Sequence, residues 1–136
     1  MFDILVVEDD ANLNQIYCST LNNNSFNAVP AFDGEEALNI MAEKNFDLVI
    51  SDIMMPGVDG FEFARNVREL NQDIPILFMT ARDDIASKQR GFRIGVDDYM
   101  VKPIDLDELF LRIGALLRRA KIASSRRLTV GRFVMN

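Results

Sequence analysis

The chain has 136 residues, enough to bury one hydrophobic core without cross-links. Cys18 is its one cysteine and it has no histidine. That excludes an intramolecular disulfide, imidazole metal ligands, Ser-His-Asp and Cys-His nucleophilic sites, and an internal phosphohistidine. The net charge of −6 is uneven: residues 118–136 carry six basic side chains and no acid, leaving nine basic against twenty-one acidic residues in 1–117. A composition break of this kind sets an expected domain boundary near Ala120.

Met1 leads straight into Phe2-Asp3-Ile4 with no basic stretch ahead of an apolar one, so no secretory signal is expected. No apolar run approaches the ~20 residues that span a bilayer. The expected setting is the cytoplasm, without a membrane partner.

Ile4-Leu5-Val6-Val7 opens the chain as a short continuous apolar run, the pattern of a strand covered on both faces. Asp9 and Asp10 follow it. Leu13, Ile16, Tyr17 and Leu21 then share one face of an expected helix. Asn27-Ala28-Val29 is a weaker strand, and Asp33-Gly34 turns the chain into Glu35-Glu36, acids suited to a helix N-terminus. Ala37, Leu38 and Met41 form the next helical face. Leu48-Val49-Ile50 is the third strand, with Asp52 just beyond it. Pro56-Gly57 and Asp59-Gly60 break the chain before a helix marked by Phe63, Val67 and Leu70. Ile76-Leu77-Phe78-Met79 is the fourth strand and ends at Thr80. Tyr99-Met100-Val101 is the fifth and ends at Lys102-Pro103. Leu106, Leu109, Phe110, Ile113, Leu116 and Leu117 mark the last helix.

The order βαβαβαβαβα predicts an α/β fold: a doubly wound, five-stranded parallel sheet with right-handed crossovers and strand order 2-1-3-4-5. Three units are expected: a first domain over 1–119, a linker over 120–127 and the start of a second domain over 128–136. In the last of these, Leu128-Thr129-Val130-Gly131-Arg132-Phe133-Val134 alternates like a strand.

A parallel sheet gathers the residues at its strand ends along one rim, so Asp9, Asp10, Asp52, Thr80 and Lys102 converge. Three carboxylates there repel one another unless a cation lies between them, and Mg²⁺, a hard ion that takes oxygen ligands and keeps several waters, is the expected one. One acid of the Asp9-Asp10 pair, Asp52 and a backbone carbonyl beyond it would hold the ion. Asp52 is the expected nucleophile, forming an acyl phosphate, with Lys102 neutralising the transferring oxygens and Thr80 donating one hydrogen bond. Asp10 also suits a helix N-cap. A cis Lys102-Pro103 bond would aim the ammonium into the pocket.

These residues resemble the receiver domain of two-component response regulators. The likeness rests on Val6-Val7-Glu8-Asp9-Asp10, the Asp52–Gly60 segment, Thr80-Ala81, Gly95–Tyr99 and Lys102-Pro103, and covers roughly residues 3–119. It implies phosphorylation of Asp52 by a sensor histidine kinase. Mg²⁺ would be held by Asp9 or Asp10, Asp52 and the Met54 carbonyl, with Asp10 favoured as the direct ligand. It also implies a switch in which the Thr80 hydroxyl moves to the phosphoryl group and the Tyr99 ring turns inward. Met54 and Arg82 occupy positions that tune phosphate lifetime in the family.

The chain is also similar to the winged-helix (OmpR/PhoB-like) subfamily of transcriptional regulators. That resemblance implies a homodimer in which Lys88 meets Glu108, Asp98 meets Arg112 and Asp97 meets Arg119 across a two-fold axis. DNA would be bound only through the C-terminal domain. Glu108 and Arg112 are also an i,i+4 pair on one helix, and exposed pairs contribute only about 0–1 kcal/mol.

Three rival readings differ in what they require. An aspartyl phosphohydrolase commonly has a second acid two residues after the first, where this chain has Met54. A nucleotide-binding module needs a glycine-rich phosphate loop, and neither G-x-G-x-x-G after the first strand nor G-x-x-x-x-G-K-[ST] occurs. An interaction scaffold that is never phosphorylated would not need the intact set of Asp52, Thr80 and Lys102.

Overall fold

Five parallel strands form the sheet in the order β2-β1-β3-β4-β5. In this computed structural model the backbone is described for residues 1–135 and the side chains for residues 1–121. The strands are β1 (Asp3–Val7), β2 (Asn27–Ala31), β3 (Leu48–Ser51), β4 (Ile76–Thr80) and β5 (Asp98–Val101). The helices between and after them are α1 (Ala11–Asn23), α2 (Gly34–Glu43), α3 (Gly60–Leu70), α4 (Ile85–Ile94) and α5 (Leu106–Met135). The predicted element order, strand order and fold class hold throughout.

The sheet has a core on each face, as a doubly wound fold requires. Leu5, Val7, Val49, Ile76 and Phe78 point to one side, where they meet Ala37, Phe61, Phe63, Ala64 and Val67 from α2 and α3. Ile4, Val6, Leu48, Ile50, Leu77 and Met79 point to the other, against Tyr17 and Leu21 of α1 and Leu109, Ile113 and Leu116 of α5. Continuous apolar strands are therefore buried on both sides, which is why their sequence shows no alternation.

Aspartates start the first four helices. Asp10, Asp33, Asp59 and Asp84 are the N-caps of α1, α2, α3 and α4, each accepting hydrogen bonds from N–H groups of the first turn. Gly95 ends α4 in the left-handed region at φ 117°. Pro30 lies in β2, an edge strand, where a missing donor costs little.

Three expectations are corrected. On α1 the buried stripe is Asn14, Tyr17, Cys18 and Leu21, while Ile16 is 53% exposed. The helix is rotated because Asn14 meets the carbonyl ends of two strands. Leu70, the last residue of α3, is exposed rather than packed. Finally, the backbone continues as α5 through Met135, where a strand was expected over 128–134. A lone strand has no ladder partner in this chain, whereas a helix satisfies its own backbone groups. The side chains of the 128–136 segment, and of residues 122–127 of the expected linker, lie outside the described residues. Among the described residues no helix is long and apolar enough to cross a membrane.

Candidate functional site: a carboxylate pocket with a bridging lysine

Asp52 follows β3 directly and its backbone is tightly held. Its N–H donates to the Val7 carbonyl at 3.0 Å, and its own carbonyl accepts the Ser51 hydroxyl at 2.8 Å. Gly60, the first residue of α3, donates to the Ile53 carbonyl at 2.8 Å. No other residue type fits there, because a Cβ on Gly60 would collide with the Asp52 carbonyl oxygen and lie 2.5 Å from Ile53 Cα.

The Asp52 side chain is buried, the residue being 7% exposed, and its two oxygens have different partners. Oδ1 accepts from the Ile53 N–H at 2.6 Å and the Met54 N–H at 3.2 Å. Oδ2 accepts from Lys102 Nζ at 2.8 Å. Lys102 also donates to Glu8 Oε1 at 2.5 Å, so one ammonium bridges two buried carboxylates. Burial works against that ammonium, but its hydrogen bonds to Asp52 and Glu8 outweigh burial and hold its pKa above the ordinary value. Burial pushes the Glu8 carboxyl up, against the pull of Lys102. The Lys102-Pro103 bond is cis, as the sequence allowed.

The acidic pair is corrected by one residue. Glu8, Asp9 and Asp52 bring ligand oxygens within 4.8 Å of one another. Asp10 instead spends its carboxylate on the Asn12 and Leu13 N–H groups at 3.0 and 3.1 Å, as the cap of α1. Glu8 is the residue that sequence reasoning missed. It is 3% exposed, and its Oε2 accepts the Asp10 N–H at 3.1 Å. The available signal was its place immediately after Val7, the last residue of the apolar run. The donor set is all oxygen, partly buried and offset by a single lysine, which fits a small hard dication.

Thr80 ends β4 and is fully buried; its Oγ1 accepts the Arg82 N–H at 3.4 Å. Its carbonyl accepts the Lys102 N–H at 2.8 Å, which ties the two strand ends together. Tyr99 lies inward, its ring 6.1 Å from Phe78 and 6.5 Å from Phe92, with Lys88 Nζ 5.8 Å from the ring centroid. The Tyr99 hydroxyl donates to the Arg82 carbonyl at 2.5 Å. Met54 exposes its side chain and offers its backbone to the pocket.

Of the six charges expected on a dimer face, Asp97, Asp98, Glu108 and Arg112 have ionic partners within the chain. Arg112 donates to both Asp98 oxygens at 2.8 and 3.0 Å and to Glu108 at 2.8 and 3.0 Å. Asp97 accepts from Arg68 Nη2 and from the Ile76 N–H, both at 2.8 Å. Arg68 also reaches the carbonyls of Gly95 and Ile74, a clamp that no sequence spacing announced. Arg119 is exposed on α5.

Comparison with known proteins bears on this pocket. Residues 4–114 match the family described as the response regulator receiver domain. The whole chain is 39% identical to the heme response regulator HssR of Staphylococcus epidermidis and 38% identical to that of Staphylococcus aureus. In both cases it spans about 60% of the relative's length. Among solved structures, the chain is similar to the non-phosphorylated HemR receiver domain of Leptospira biflexa, with 31% identity and a TM-score of 0.81 over 86% of this chain and 94% of that one. It is also similar to TrrA of Thermotoga maritima, solved in complex with Mg²⁺ and BeF, with 35% identity and a TM-score of 0.78 over 85% of this chain and 99% of that one.

Proposed function

The chain belongs to the response regulator receiver family, and from that premise we propose that Asp52 accepts a phosphoryl group from a sensor histidine kinase in a Mg²⁺-dependent reaction. The observation that carries the proposal is Lys102, which joins Asp52 to Glu8 beside Asp9.

A carboxylate oxygen of Asp52 attacks phosphorus as the P–N bond of the donor's phosphoimidazole breaks. The electron pair returns to the ring nitrogen, which takes up a proton. Asp9, Asp52 and the Met54 carbonyl would hold Mg²⁺, which when bound neutralises charge on the transferring oxygens. Lys102 is already within hydrogen-bond reach of Asp52 and turns from it to a phosphoryl oxygen. The Ile53 and Met54 N–H groups keep the carboxylate oriented through the reaction. Thr80 supplies a further hydroxyl donor, and its departure from the Arg82 N–H is the motion that links the pocket to Tyr99.

In this reading the face formed by α4, β5 and α5 changes with phosphorylation and controls homodimerisation. Transcription is then regulated through a DNA-binding domain joined after residue 119. The greater length of the relatives supports such a domain. The protein acts in the cytoplasm as a signalling switch, and its chemistry is limited to its own phosphorylation and dephosphorylation.

The test is intact mass after incubation with acetyl phosphate and Mg²⁺. One added phosphate on the wild type and none on Asp52→Asn is the expected result. No adduct on the wild type would leave a pure interaction scaffold, and turnover of unrelated phosphate esters would indicate a hydrolase.

A further inference from the structure

Asn14 is wholly buried one turn into α1, and neither the phosphoryl chemistry nor the switch uses it. Its side-chain amide lies against three backbone carbonyls, with Nδ2 at 3.2 Å from Val6 O, 3.1 Å from Glu8 O and 2.9 Å from Ala31 O. An amide has two N–H groups, so one of these bonds is shared between two acceptors. The orientation is unambiguous, since only the amino side can face three carbonyl oxygens. The other side of the amide accepts the Cys18 thiol at 3.2 Å.

These contacts surround one residue. Asn14 grips the Glu8 carbonyl through its side chain and the Asp10 carbonyl through its backbone N–H at 2.9 Å. Asp9 is the residue between those two fixed carbonyls. The Glu8 N–H is fixed as well, donating to Ala31 O at 3.0 Å. The ends of β1 and β2 and the start of α1 therefore meet on a single amide, at the point where the chain turns toward the pocket.

We propose that Asn14 is a positioning residue for the acidic pair: it sets the direction in which the chain leaves β1 and so aims Glu8 and Asp9 at Asp52. A leucine has the same branched skeleton but would leave three carbonyls without this donor and free the turn to rotate. The proposal rests on the phosphorylation reading, yet its central measurement does not need phosphorylation.

The experiment follows Mg²⁺ binding by NMR shift titration, alongside urea unfolding, in wild type, Asn14→Leu and Leu21→Ala. The Leu21 side chain is buried on the same helix face within the apolar core, so its truncation reports lost packing. The Mg²⁺ dissociation constant of Asn14→Leu should rise about tenfold. Leu21→Ala should lose stability with Mg²⁺ affinity unchanged. Phosphorylation of Asn14→Leu should slow at limiting Mg²⁺ and recover when Mg²⁺ is in excess.

If Asn14→Leu does not fold, Asn14→Ser is judged by the same criteria. The wild type also supplies a readout of its own, because the Asn14 side-chain amide protons should exchange slowly and shift when Mg²⁺ is added. Wild-type affinity in the Asn14 variants, or a rapidly exchanging Asn14 amide, overturns the proposal. A wild type that binds Mg²⁺ but takes no phosphate overturns the phosphorylation reading instead and leaves the role of Asn14 standing.

Discussion

Glu8 and Lys102 lie 94 residues apart in the chain, and their side chains meet at 2.5 Å beside Asp52. The contact joins the end of β1 to the end of β5 across β3 and β4, so one ammonium reports on the whole rim of the sheet. Two buried carboxylates depend on it.

Lys102→Met should therefore be costly in a way that Mg²⁺ can repair. Removing the cation leaves Glu8 and Asp52 facing each other with little solvent, and breaking a buried pair of this type costs about 3 kcal/mol. The urea midpoint should fall accordingly without Mg²⁺ and recover in part when Mg²⁺ is added or when Asp52→Asn removes one of the charges. Phosphorylation by acetyl phosphate should slow by about a hundredfold, the usual effect of losing one donor to a developing oxyanion. An unchanged midpoint would show that water, rather than Lys102, offsets the two charges.

Gly60→Ala tests how closely α3 must approach the phosphoryl acceptor. The new Cβ would meet the Asp52 carbonyl oxygen and Ile53 Cα at distances that side chains do not tolerate, and both atoms are backbone. Either α3 or the Asp52 segment must shift, at a cost of about 1–3 kcal/mol. A lower urea midpoint together with slower acetyl phosphate labelling is expected. Full labelling at wild-type rate would mean that α3 alone moves.

Much of this was legible in the chain because strand ends are legible. Each short apolar run stops at a polar residue, and parallel crossovers bring every such stop to one rim, so Asp52, Thr80 and Lys102 needed only the strand order. Glu8 was not legible in the same way. A strand end is uncertain by a residue, and only the turn after Glu8 shows that Asp9 enters the pocket while Asp10 caps α1. Hydrophobic periodicity likewise cannot register a buried polar residue such as Asn14, and so misplaced the α1 face toward Ile16. The Arg68 clamp joins α3 to Gly95 and Asp97, a contact set by packing between distant segments and not by spacing.

Cys18 should show an inert thiol. Burial pushes its pKa from the ordinary 9.0 up to about 11, and its S–H donates to Asn14 Oδ1. Alkylation by iodoacetamide at pH 8 should be much slower for the native protein than for the urea-unfolded chain. The folded pKa lies above the unfolded one, so the unfolded chain ionises first as pH rises. The resulting stability is fully present below pH 9 and is lost between pH 9 and about 11, about 3 kcal/mol in all. Cys18→Ala should flatten that part of the stability profile, and equal slopes for the two proteins would rule out the assignment.

Arg112 separates stability from assembly. Within the chain it joins half-buried Asp98 to the more exposed Glu108, and solvent-screened pairs of this kind contribute about 1 kcal/mol each. Arg112→Glu also sets a third carboxylate beside Asp98 and Glu108, so it should lower the urea midpoint modestly, while Arg112→Gln should barely change it. If the face of α4, β5 and α5 forms the proposed dimer, Asp98 must exchange its internal arginine for that of the second subunit, a swap that conserves the number of ion pairs and leaves the balance to the apolar contacts around it. Light scattering with beryllofluoride and Mg²⁺ should show a dimer for the wild type, a weaker one for Arg112→Glu, and partial recovery when Asp98→Arg is added. Because the reversed pair can also re-form within one chain, the informative arm mixes Arg112→Glu chains with Asp98→Arg chains, neither of which can form the internal pair. A dimer recovered only in the mixture shows that the two positions meet across the interface. A monomer in every case, with Asp52 fully labelled, would assign the Arg112–Asp98 pair to the fold of one chain alone.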